Sequence, residues 1–157
     1  MTSLHSEQAL FRSLVDASPM PTAIYTGEDI IISMANQGML DFWGKDQSVI
    51  GRPLAEAVPE LKDQPFMDLL KQVYTTGVTH HALEDKADLI IDGKLQSFYF
   101  TYTYRAFRNA EGQISAIIHT AADVTELVQA RQKIAETEEH LSFALSSAGI
   151  GIWDLDP

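Results

Sequence analysis

The chain has 157 residues, 45% of them apolar and 21% charged, the balance of a globular domain with its own core. Its 22 acidic residues against 11 Lys and Arg give a formal net charge of -11, a surface that repels nucleic acid and anionic lipid. There is no cysteine, which excludes disulfides, cysteine nucleophiles, thiolate metal sites and cysteinyl cofactor adducts.

The opening MTSLHSEQALFRSL has neither the basic start nor the apolar centre of a signal peptide. No apolar run approaches the roughly 20 residues of a spanning helix. The expectation is a cytoplasmic chain that contacts neither nucleic acid nor membrane. Leu4, Phe11, Leu14 and Val15 predict a short amphipathic helix over 4–17. Ser18-Pro19-Met20-Pro21 stops it, because proline disfavours helix in the residue before it. Strands are expected over 22–26 and 30–34, joined by the turn Gly27-Glu28-Asp29.

Asn36 is placed to cap a short helix carrying Met39, Leu40, Phe42 and Trp43, ended by Gly44. Residues 54–57 predict another short helix, started by Pro53 and closed by Pro59. A longer helix is expected from Asp63, with Phe66, Leu69, Leu70, Val73 and Tyr74 on one face and Gly77 as its stop. From Val78 the period becomes two. Strands are predicted over 78–91, 94–108 and 113–122, with Asp92-Gly93 as a two-residue hairpin turn. The order predicts an α+β domain with an antiparallel sheet.

Alternation also assigns faces. Phe98, Phe100, Tyr102 and Tyr104 share one side of their strand, and Ile117, His119 and Ala121 share one side of the next. These are the expected inner faces. Tyr102, Tyr104 and His119 then carry polar groups into an apolar cup, where each must find a partner, water or a ligand. After Asp123 a helix is expected over 126–142, with Leu127, Ala130, Ile134, Thr137, Leu141 and Ala144 forming a weak seam at spacing 3-4-3-4-3. The final stretch from Leu141 to Pro157 parallels Phe11 to Tyr25, a helix that breaks at small residues and enters a strand. It therefore reads as the start of a repeat unit, and the expectation is a piece of a longer tandem protein.

Four strings resemble a PAS domain, the sensory module of bacterial histidine kinases and diguanylate cyclases. They are the opening Phe11-Arg-Ser-Leu-Val-Asp-Ala-Ser-Pro-Met-Pro, the loop Val49-Ile-Gly-Arg-Pro-Leu, the hairpin Tyr104-Arg-Ala-Phe-Arg-Asn-Ala-Glu-Gly-Gln-Ile and the exit Asp123-Val-Thr-Glu. The likeness covers residues 8–126. It departs from the family where Ala106 replaces a frequent Pro and Asn109 a frequent Asp. The resemblance implies a five-stranded antiparallel sheet of order 2-1-5-4-3, with short helices over its concave face and flanking helices at both ends. It divides the chain into a flanking helix, 1–17, a sensory domain, 18–125, a signalling helix, 126–142, and the start of a second PAS domain, 143–157.

In that family the inner positions line a ligand cavity, which implies Phe42, Trp43, Phe66, Phe100, Tyr102, Tyr104 and His119 as ligand-binding residues. Asp123 and Thr125 would relay a signal or simply cap the exit helix, with Arg52 a candidate partner of the acid. The resemblance implies no haem, since the helix from Asp63 has no His, and His80 and His81 are expected on the strand surface. Adduct-forming flavin needs a Cys, and the flavin-holding positions correspond to Phe100 and Ala121. The five histidines, His5, His80, His81, His119 and His140, have no metal-ligand spacing. Glu84-Asp85 and Glu138-Glu139 read as solvated faces, and no catalytic motif is present. The functional expectation is a non-enzymatic sensory and dimerisation module, a homodimer joined through its N-terminal or exit helix, in a histidine-kinase-like protein with further PAS and output domains. The alternatives are a ligand-free PAS domain that only dimerises, and a small α+β enzyme with His119 as base.

Overall fold

A computed structural model of the chain describes residues 2–147, apart from the side chains of residues before Ala9. Two compact units divide at Asp123. The first contains α1 (Thr2–Ala17), β1 (Thr22–Thr26), β2 (Ile31–Ala35), α2 (Gln37–Trp43), α3 (Leu54–Ala57), α4 (Phe66–Thr76), β3 (His80–Ile91), β4 (Lys94–Arg108) and β5 (Ile114–Asp123). The second contains α5 (Thr125–Ser147).

All strand pairs are antiparallel, and the order is β2-β1-β5-β4-β3. The strand β5, last in sequence, therefore lies in the middle. The β3–β4 turn is the expected two-residue one. Ile91 faces Lys94, and Asp92 and Gly93 both have positive φ (53° and 78°), the twist that closes a two-residue hairpin. Asn109 shapes the β4–β5 turn by accepting from the backbone N–H groups of Glu111 and Gln113.

Helices α2, α3 and α4 close the concave face over a core that includes Tyr25, Met39, Leu40, Leu70 and Ile117, each at most 1% exposed. On the opposite face Val15 of α1 packs with Ile24 and Ala116. Asn36 ties these layers together. Its side-chain oxygen accepts from Met39 N and Thr22 N, and its amide donates to the carbonyls of Val15 and Met20. All four hydrogen-bonding positions of the amide are thus used in a nearly sealed site.

Both sheet edges are covered in part. Along β2, Ile32 N donates to the Arg52 carbonyl and Gly51 N to the Ile32 carbonyl. Along β3, Gln64 pairs with both backbone groups of Asp88, and Glu60 accepts from Ile90 N. The stretches protected this way are closed to pairing with other chains.

Several expected boundaries move. The helix expected from Asp63 starts at Phe66, with Pro65 just before it. Pro59 opens a one-turn 3-10 helix, Pro59–Leu61, rather than only closing the one before. Strand β3 starts at His80 rather than at 78, and β5 runs over Ile114–Asp123 rather than 113–122. Helix α5 runs to Ser147, past the expected end at 142 and through 143–147, the helical opening expected of the second domain. The rest of that expected domain, 148–157, lies outside the described residues.

The candidate cavity and its aromatic wall

The concave face holds a half-open cavity of about 40 Å³. The seven residues singled out by sequence, Phe42, Trp43, Phe66, Phe100, Tyr102, Tyr104 and His119, all line it, together with Met39, Leu61, Ala87, Leu89 and Ala121. The volume is far below the several hundred Å³ of a pocket for a drug-sized ligand. Strand register explains the gathering. Tyr104 faces His119 and Tyr102 faces Ala121 across β4 and β5, so one side of each strand supplies the floor. Helix α2 supplies Phe42, whose ring lies 4.6 Å from that of Phe100. Helix α4 supplies Phe66, edge-on to Tyr102 at 5.8 Å.

His119 is buried at the centre of the sheet. Its Nδ1 lies 2.7 Å from the Tyr25 hydroxyl, and its ring meets that of Tyr104 edge-to-face at 4.7 Å. Burial away from water penalises the charged imidazolium and pushes His119 down to about 3. The ring is therefore neutral throughout the physiological range. The same loss of solvation pushes the Tyr25 and Tyr104 phenols well above their usual range. Tyr102 is raised by burial first, then by the carboxylate it bonds.

That carboxylate is Asp85. Tyr102 donates to its Oδ2 at 2.8 Å, and the same hydroxyl lies 3.4 Å from Nε2 of His80. Neither partner was expected inside. A bulge explains Asp85: between Ala82 and Asp85, β3 holds one residue more than β4 opposite, and Glu84 takes a positive φ of 58°. The extra residue flips the alternation. Inward positions are His80 and Ala82 before the bulge and Asp85, Ala87 and Leu89 after it. Asp85 is thus half-buried rather than on a solvated face. His80, expected on the strand surface, is half-buried with its ring 5.6 Å from Tyr102 and 6.0 Å from Tyr104. His81 points away and bonds Thr103 at 2.7 Å. Tyr25, also missed, sits in a short strand whose five residues show no clear alternation.

Asp123 is the exposed last residue of β5, and Thr125 is the first of α5. The Arg52 guanidinium donates to the Glu56 carbonyl at 3.4 Å. Among the described residues no group of three or more His, Asp and Glu side chains is placed to hold a metal ion. Among them, too, no helix is long and apolar enough to cross a membrane.

A sheet of this order, cupped by short helices over an aromatic cavity, defines a class, and comparison with known proteins agrees. The family model described as the PAS fold matches residues 15–129. The chain belongs to the PAS-fold family. Solved structures share the fold at low identity. An RNA-binding Light-Oxygen-Voltage receptor matches at 16% identity and TM-score 0.64, covering 84% of this chain and 37% of its own. The PAS domain of Bordetella pertussis BvgS matches at 17% and 0.54, covering 85% and 98%. The Vibrio cholerae VqmA dimer, a LuxR-type receptor, matches at 21% and 0.55, covering 78% and 52%. This chain thus spans well under half of the first of these and about half of the third.

Proposed function

We propose that the chain is a sensory module of a histidine-kinase-like signalling protein, that its cavity takes a small ligand, and that it has no catalytic activity of its own. The observation that carries this reading is the placement of His119. It lines the cavity from the central strand, and that strand ends at Asp123, with α5 starting at Thr125. A ligand that prefers one position of β5 would bias the start of the exit helix, provided its affinity differs between the two arrangements. Asp123 and Thr125 are the relay residues. Two helices offer apolar side chains for a homodimer: Leu10 and Leu14 of α1, and Leu127, Ile134 and Leu141 of α5, each more than half exposed. The setting we propose is cytoplasmic, with further PAS and output domains in the parent protein.

The test is native mass spectrometry of the 157-residue chain with an absorbance scan of the same sample. The reading expects a bound small molecule at one per chain, and a dimer. A mass equal to the bare chain at every ligand concentration tried would contradict it. In the full-length protein, Thr125→Ala should change output while the thermal midpoint stays within a degree or two. Unchanged output would remove the relay role.

A second reading is a ligand-free PAS domain that only pairs chains. The cavity of about 40 Å³ favours it, since Phe42, Phe100 and Tyr102 already fill most of the cup. An enzyme with His119 as base has weaker support. The partner of the imidazole is the Tyr25 phenol rather than a carboxylate, and a ring held neutral down to about pH 3 is a feeble base.

A further inference from the structure

The cavity wall is graded from apolar to polar along β4 and β5. At one end Phe42 packs on Phe100. Two register steps away, Tyr104 stands opposite His119. The Tyr25 hydroxyl has His119 Nδ1 as its hydrogen-bond partner among the described residues. A phenol O–H is a better donor than a neutral imidazole N–H, and the imidazole nitrogen is the better acceptor, so we assign the proton of this bond to Tyr25 and the imidazole's own proton to Nε2. Nε2 and the Tyr104 hydroxyl make no hydrogen bond to a described residue, although both residues line the cavity. No Lys, Arg, Asp or Glu lines it. An anion would be buried there without a counter-ion, and for a cation the one carboxylate bonded to the wall, Asp85, is already held by the Tyr102 hydroxyl.

We infer that the cavity selects a small uncharged molecule, apolar over most of its surface, with adjacent hydrogen-bonding atoms at one end that meet His119 Nε2 and the Tyr104 hydroxyl. This rests on the ligand-sensing reading above and adds the chemical class. Nε2 supplies a donor, so the ligand presents an acceptor to it. The Tyr104 hydroxyl turns to suit either role.

The test uses three probes of similar size on the 157-residue chain at neutral pH, followed by nuclear magnetic resonance of the histidine and tyrosine rings. Pyrazole is neutral, with a donor and an acceptor side by side. Furan has a similar ring and no donor, and acetate carries a charge. Pyrazole should shift the His119 and Tyr104 signals saturably, and furan should bind roughly tenfold more weakly, as expected for one or two lost hydrogen bonds. Acetate should shift neither. Tyr104→Phe removes a hydroxyl without a protein partner, so it should leave the fold intact and narrow the gap between pyrazole and furan. Acetate binding as well as pyrazole, or furan equalling it, would overturn the chemical class and leave the sensing site standing. Failure of all three probes at millimolar concentration would overturn the class and the sensing reading together.

Discussion

His119 illustrates how one buried residue ties stability to pH. Unfolded, its ring takes a proton below about 6.5, and folded only below about 3. Between those values the unfolded state binds more protons, so stability falls as pH falls. From pH 7 to pH 5 this contributes a loss of about 2 kcal/mol. Urea midpoints of His119→Asn, which keeps an acceptor near Tyr25, should lack that part of the acid slope. An identical slope in both proteins would show that His119 is solvated. The tyrosines act in the other direction. Tyr25, Tyr102 and Tyr104 stay protonated in the fold beyond the pH, about 10, at which unfolded tyrosine ionises. Stability is then lost as pH rises above 10, and their phenolate absorbance should appear together with unfolding rather than before it. Tyr102→Phe leaves the half-buried Asp85 carboxylate without its phenol donor and should cost about 1–2 kcal/mol.

Among the elements, α2 depends most on single residues. Asn36→Ala deletes its N-cap and strands the N–H groups of Met39 and Thr22, while the Val15 and Met20 carbonyls keep Ser18 N and Thr22 Oγ1 as partners. The expected cost is about 3 kcal/mol in thermal or urea unfolding; a loss below 1 kcal/mol would mean water replaces the side chain. At the other end Gly44 has φ 66°, and a Cβ there would lie 2.8 Å from the Ile90 carbonyl oxygen. Gly44→Ala should therefore lift α2 from β3 and lower stability by more than 1 kcal/mol. Much of this element plan was readable in advance. Asn36 and Gly44 were recognisable as caps because their chemistry is local. The bulge at Glu84 was not: a period-two pattern has no mark for an inserted residue, so Asp85 was assigned to the wrong face. His80 was missed for a related reason. Alternation says two adjacent histidines point apart but not which one points in. That choice is set by register with Tyr104, a long-range pairing.

At the scale of the whole molecule, the sheet order followed from resemblance to PAS domains, and alternation alone found the inner faces of β4 and β5. The volume left inside the cup was not legible, because it depends on how closely Phe42, Phe66 and Phe100 approach one another. Assembly is decided outside the core. Leu14 is 61% exposed on α1, one residue from the buried Val15. Leu14→Glu should turn the proposed dimer into a monomer by light scattering without shifting the thermal midpoint. Removing all of α1 would be a poorer test, since Val15 seals the back of the sheet and its carbonyl binds Asn36.

Nitrogen-detected magnetic resonance of His119 across pH 5 to 8 tests the buried wall most directly. The account predicts one neutral form over that whole span, its proton on Nε2 and its Nδ1 accepting from Tyr25. A midpoint near 6.5, or a proton found on Nδ1, would contradict it.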